Sequence, residues 1–377
     1  MKIGVVSTTG NLYSWAGSEE TWRIFAAYAV AQGHRLNLLL PQKVSKSEQV
    51  GALRQAGAVV SARGDLTPLT RRLAMRGWHS RFKRFFAERY DAIFISTGGI
   101  ADCAWLPDLL PEIEHSSSPL IFFIQSNAEG VIQAQPIRDT LRAVYQRAAL
   151  VIFLSQHNYQ LAERQLAWRF PKARILMNPV RTPMPQPLPW PETADCLLRL
   201  AEVARFEVGD KRQDQLLEAL ATDDWKKRNW SLTFFGSGPD ENHIRQLIDF
   251  YGLQHKANIG GQVADFREIW KNHHLHILPS SREGMPLALI ESMACGRPAL
   301  VTRAGGNAEL VRDGVDGFVS PGMHPEVIRE TLEQAWAERS RWQEMGRAAF
   351  ARADQLVPKD WAAQMLALVE SVAAKRS

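Results

Sequence analysis

Two glutamates, Glu283 and Glu291, are separated by seven intervening residues in the stretch 279–319 (PSSREGMPLALIESMACGRPALVTRAGGNAELVRDGVDGFV), with a glycine and a proline between them. An apolar run ends at Leu278, Pro286 sits where a first helical residue would, and Gly296 and Pro298 close the helix. The first turn of a helix lacks internal acceptors and carries the positive end of the dipole, so the segment Gly284, Met285, Pro286 and Leu287 marks a place for an anion, with the backbone N–H groups of its three non-proline residues as donors. The helix is apolar nearly all round (Leu287, Leu289, Ile290, Met293, Ala294), which predicts burial, and Glu291 in its middle then needs a partner. No Arg or Lys lies within a helical turn of Glu291. A ligand bearing hydroxyl donors is the natural candidate.

The elements that must position these residues are strands and helices in alternation. Runs at 3–7, 36–40, 58–60, 92–96, 120–124, 150–154 and 174–177 read as strands separated mostly by helical stretches, the pattern of a parallel sheet covered on both faces. A polar, glycine-bearing loop at 8–18 leads into a helix from about Glu19 to Gln32, with Ser18 a candidate N-cap. The three-glycine dinucleotide fingerprint is absent, which argues against a redox cofactor. Proline at every second position in 183–191 (PMPQPLPWP) forbids helix and central strand, and marks a stiff linker between domains at 1–182 and 193–357. Beyond it Arg205 ends a strand, Lys211 follows in a loop, and a helix begins near Asp214. A second strand leads to Gly236, Gly238 and Pro239, readable as a turn. Tryptophan-bearing helices at 325–346 and 358–375 close the chain.

The 377 residues suffice for two ordinary domains, and 45% hydrophobic content supports full cores. Three widely spaced cysteines (Cys103, Cys196, Cys295) cannot all pair and suit a reducing compartment. The N-terminal residues lack a long apolar h-region and no window reaches eighteen apolar residues, so a cytoplasmic location is expected. Residues 1–182 hold 22 basic and 13 acidic side chains, a net of +9 that leaves −4 for the remainder. Seven of those cations fall between Arg71 and Arg89, interleaved with Leu73, Met75, Trp78, Phe82, Phe85 and Phe86, with Gly77 as a break. Such a segment either rests on an anionic membrane face or packs its apolar side on the core. No nucleic-acid motif accompanies the charge. His273, His274 and His276 invite a metal reading, but no carboxylate or cysteine follows at ligand spacing, and they read as the polar entrance to a strand. No two aspartates are separated by one residue, so no metal-diphosphate device is expected.

Glu283, Gly284, Pro286 and Glu291, followed in order by Ala294, Gly296, Pro298, Gly305, Gly306, Glu309, Gly314 and Gly317, resemble the donor-site signature of family-four retaining glycosyltransferases. The resemblance implies the α/β GT-B fold: two Rossmann-like domains with parallel sheets facing across a cleft, and a last helix at 358–377 crossing back to the first. It implies Arg205, Lys211 and Glu283 as the catalytic set, the two cations directed at the donor pyrophosphate and Glu283 at sugar hydroxyls. Glu291 then takes the ribose diol, and Gly236 lies near the nucleotide. A guanidinium fork and a compact ammonium suit a phosphoanhydride. Ala16, Gly17, Ser18 and Glu19 resemble the loop that faces donor phosphates and acceptor, with Ala16 in place of a glycine. Gln125 stands where the family usually presents a histidine to the donor sugar, and an amide there can bind a hydroxyl but carries no proton at neutral pH. Asn178, Pro179 and Val180 match the strand-to-linker turn. The implied partners are a nucleotide sugar of UDP or GDP type, as co-substrate rather than cofactor, and a hydroxyl acceptor that is a glycan or lipid-linked glycan. A silent GT-B binding subunit and a nucleotide-sugar hydrolase or epimerase are the alternatives.

Overall fold

The computed structural model describes every residue except 11–14, 16, 77–78, 182–185, 193–195 and 376–377. Ala16, Gly77, Trp78 and the linker residues Pro183 and Pro185 lie outside the described residues. The chain forms two compact units, Met1–Asn178 with Asp360–Ser377, and Pro179–Lys359.

The first unit is built on seven parallel strands: β1 (Lys2–Ser7), β2 (Arg35–Pro41), β3 (Val59–Arg63), β4 (Ala92–Thr97), β5 (Leu120–Ile124), β6 (Ala148–Phe153) and β7 (Ala173–Ile175), in the order β3-β2-β1-β4-β5-β6-β7. Central β1 registers Val5 against Leu38 on one side and Phe94 on the other. Helices on both faces leave the middle strands no solvent side, so they are continuous apolar runs, and all five residues of β5 are buried. The helix Trp361–Ala374 belongs to this unit, packing on the helix Gly17–Ala31 and on β4, with the Trp361 ring 6.4 Å from that of Phe123.

The second unit repeats the plan with six parallel strands: β8 (Leu198–Val203), β9 (Trp230–Phe235), β10 (Ala257–Gly261), β11 (Leu275–Leu278), β12 (Ala299–Thr302) and β13 (Gly317–Ser320), ordered β10-β9-β8-β11-β12-β13. A parallel sheet whose strand order reverses about its first strand binds ligands beyond the carboxyl ends of its strands.

One sequence expectation changes, and one alternative narrows. The helix expected over 325–346 breaks: Pro325–Ala337 ends, a short turn at Arg339–Arg341 follows, and Trp342–Leu356 is a separate helix. The break lets the buried Trp342 indole donate to the Ala335 carbonyl at 3.0 Å. For the basic segment, the aromatic end takes core packing rather than a membrane face. The segment holds the helix Pro68–Met75, capped by Thr67, and a single turn Lys83–Phe86. Phe82, Phe85 and Phe86 point into the core, where Phe85 stacks on Tyr90 at 4.9 Å. Arg81 forks onto the buried Asp108 carboxylate at 2.6 and 2.9 Å.

Candidate functional site

The loops after β8 and β11 are stitched together. The Ser281 amide donates to the Asp210 carbonyl at 2.8 Å, its hydroxyl to Gly209 at 3.0 Å, and Arg282 pairs with the Asp210 carboxylate at 2.5 Å. Lys211, the last residue of the turn Val208–Lys211, is thereby brought to Glu283, and Lys211 Nζ lies 2.6 Å from Glu283 Oε1 with both side chains largely buried. Arg205 lies two residues past β8 and pairs with Glu207 at 3.1 Å.

Glycines make this geometry possible. A Cβ on Gly236 would stand 1.9 Å from the Ala204 carbonyl oxygen, and one on Gly238 would stand 2.3 Å from that of Phe206, so the turn after β9 presses against the Arg205 loop. Gly305, at φ +52°, would place a Cβ 2.2 Å from the Glu283 carbonyl oxygen, and the Gly306 amide donates to Gly284 at 2.7 Å. The pair Gly305–Gly306 therefore holds the backbone of Glu283, Gly284 and Met285 in place. Pro286 is the N-cap of the helix Leu287–Ala294 rather than its first residue. It contributes no side-chain cap, and its carbonyl accepts from Leu289 and Ile290.

Glu291, 1% exposed, does have a protein partner. Arg181 engages both of its oxygens, Nε to Oε1 and Nη2 to Oε2 at 3.0 Å, while the guanidinium lies over the Phe266 ring. This cation comes from 110 residues away rather than from a neighbouring helical turn. A second buried carboxyl was missed altogether. Glu202, inside β8, is 1% exposed, and among the described residues neither oxygen meets a well-aligned hydrogen-bond partner, the Gln213 side chain being a polar neighbour. Burial, opposed by Lys211 and reinforced by Glu283 and Asp214, holds its pKa well above the usual carboxylate range. Its signal was a glutamate within the apolar run LRLAEV.

The histidines are not a polar entrance: His273, His274 and His276 are all buried. His274 Nδ1 accepts from the Arg199 amide at 3.0 Å, and His276 Nδ1 lies 2.9 Å from Ser292 Oγ. Among the described residues no three His, Cys, Asp or Glu side chains group as metal ligands. Burial lowers His274 from 6.5 to about 4 and His276 to about 3. The unfolded chain therefore binds more protons than the folded one below the ordinary value, and stability drops as pH falls through 6.5. Between pH 7 and pH 5 the two groups together remove up to about 4 kcal/mol. A lowered urea midpoint at pH 5 is expected, and an unchanged one contradicts neutral burial.

In the first unit, polar groups gather at the carboxyl ends of β1, β4 and β5. Gly17 opens its helix, and Ser18, one residue further in, is no N-cap: its hydroxyl donates to Glu19 Oε2 at 2.6 Å. Thr9 donates to Glu19 Oε1 at 2.8 Å, and Arg63 binds the Ser7 and Thr9 carbonyls. Gln125 is 7% exposed, and its Nε2 donates to the Ser18 carbonyl and Ser96 Oγ, each at 3.0 Å. Both amide hydrogens are thus committed, leaving Oε1 as the group Gln125 can offer a hydroxyl.

Two Rossmann-like units of this topology, the first completed by the chain's last helix, define the GT-B class. Residues 199–352, within the second unit, match the family model described as Glycosyl transferases group 1. An exopolysaccharide phosphotransferase of Streptomyces coelicolor is 31% identical over 163 residues, 41% of this chain and 17% of that one. The D-inositol 3-phosphate glycosyltransferase of Paenarthrobacter aurescens is 32% identical over 130 residues, 33% of this chain and 31% of its own. The chain thus spans less than a third of either relative. Anabaena HepE, solved in complex with UDP and glucose, superposes with a TM-score of 0.73 at 18% identity, covering 98% of this chain and 99% of that one.

Proposed function

We propose that the chain is a glycosyltransferase that moves a sugar from a nucleoside diphosphate donor, UDP or GDP, to a hydroxyl acceptor with retention of anomeric configuration. The observation that carries this reading is the Lys211–Glu283 pair, fixed by Gly305–Gly306 beside a helix start inside the family-matched segment. The UDP complex of HepE supports a uridine donor. Lys211, Arg205 and the backbone N–H groups of Gly284, Met285 and Leu287 neutralise the leaving diphosphate, Glu283 holds sugar hydroxyls, and Glu291 holds the ribose diol. Stabilisation of charge that develops only as the glycosidic bond breaks is what accelerates such a reaction. The acceptor hydroxyl attacks from the face the diphosphate leaves, and its proton passes to the departing phosphate oxygen. No metal is needed for this charge balance, so EDTA should leave the rate unchanged.

Incubation with a panel of nucleotide sugars, with and without glycan or lipid-linked acceptors, tests the reading. Glycosylated product with the donor's anomeric configuration is expected. Release of free sugar alone identifies a hydrolase, an isomerised donor an epimerase, and nucleotide binding without turnover a silent subunit. A membrane-borne acceptor would reach a peripheral protein through the helix Pro68–Met75, where Leu69 and Met75 are exposed beside Arg71, Arg72 and Arg76. No helix among the described residues is long and apolar enough to cross a membrane.

A further inference from the structure

Glu291 is the carboxylate that the proposed reading assigns to the donor ribose, and Arg181 already covers both of its oxygens. The two side chains differ in their surroundings. Glu291 is fixed in a buried helix with 2% of its side chain exposed, whereas Arg181 leaves 39% of its own in solvent. Arg181 lies in the bend immediately after Pro179 and Val180, outside any helix or strand. The guanidinium is therefore the partner that can withdraw into water, while the carboxylate stays where it is. A vicinal diol presents two O–H donors to the two carboxylate oxygens, the same bidentate pattern that the guanidinium presents with two N–H groups.

We propose that Arg181 is a displaceable stand-in for the ribose. In the free protein it neutralises the buried Glu291 carboxylate, and the incoming nucleotide must exchange its diol for the guanidinium. This rests on the nucleotide-sugar reading above. Two consequences follow from the chemistry. Part of the nucleotide's binding energy goes into breaking a charge-assisted pair, so the donor binds more weakly than it would to an open carboxylate. The competition also concerns the ribose alone, because the diphosphate is held by Lys211, Arg205 and backbone amides in other loops.

Arg181→Gln removes the charge but keeps a hydrogen-bond donor for Glu291, and Arg181→Lys retains the charge without the fork. Calorimetric titration of wild type and both variants with UDP, GDP and inorganic pyrophosphate reads the exchange directly. The expected result is a three- to tenfold tighter nucleoside diphosphate in Arg181→Gln, a smaller gain in Arg181→Lys, and pyrophosphate affinity unchanged in both. Weaker or equal nucleotide binding in Arg181→Gln overturns the proposal and makes Arg181 a ligand contact or a bystander. An equal rise for pyrophosphate also overturns it, because the effect would not then belong to the ribose. Wild-type protein that binds neither UDP nor GDP removes the nucleotide-sugar reading itself, and the exchange with it. Thermal melts of each unliganded variant, run alongside, establish that the titrated protein is folded.

Discussion

Lys211→Ala is expected to lower kcat/KM for the donor by about a hundred- to a thousandfold, the usual cost of deleting one preorganised group that meets charge in a transition state. The ammonium is held against Glu283 with only 13% of its side chain exposed, so its position is set before any ligand arrives. Deleting it has a second effect. Glu283 loses the ammonium paired with it, and the buried Glu202 carboxyl loses the nearby positive charge that favours its ionised form. Lys211→Arg keeps the charge but replaces a compact ammonium with a planar fork, and should recover only part of the rate. Steady-state kinetics with the cognate donor check both variants. A wild-type rate for Lys211→Ala would remove this residue from the mechanism.

Gly305→Ala should be nearly as damaging for a purely steric reason. At φ +52° an alanine carries backbone strain of about 1 kcal/mol, and its Cβ would lie 2.2 Å from the Glu283 carbonyl oxygen and 2.8 Å from that of Gly284. Neither obstacle is a flexible side-chain tip, so the backbone of the 283–285 segment must move. A total of about 3 kcal/mol lowers the melting temperature by roughly 6–12 °C for a unit of this size. Donor affinity falls with it, because Glu283 and the helix start are displaced together. Gly314 is the internal control: its φ is +70° but nothing lies within 4 Å of an added Cβ. Gly314→Ala should show the strain alone. Equal melting shifts for the two variants would refute the overlap argument.

The strand cores were legible because a fully covered parallel strand has nothing to alternate with, and LIFFI at 120–124 could be little else. The stretch from Glu283 to Gly317 was legible for a related reason, since its prolines and glycines are local punctuation for a strand, a tight turn and a helix. Contacts that join distant segments left no such mark. Nothing near Glu291 in the chain announces Arg181, which lies 110 residues away. For the aromatic residues at 82, 85 and 86 the local pattern allowed either a membrane face or the core, and only the distant pairing of Arg81 with Asp108 goes with their entry into the core. The three histidines misled in the opposite sense: polar type suggested an edge, while backbone and hydroxyl partners supplied by β8 and the Leu287–Ala294 helix allow them inside.

The placement of the helix Trp361–Ala374 in the first unit reverses the order in which the two units can be finished during synthesis. The amino-terminal sheet leaves the ribosome first, but the indole that covers Phe123 is translated only after the whole of Pro179–Lys359. At about 5–20 residues per second that delay is on the order of 10–40 s. For that interval the nascent sheet lacks the cover that the Trp361–Ala374 helix gives to β4 and Phe123, an apolar patch that a chaperone must shield or the growing chain must tolerate. The half that is born first is completed last.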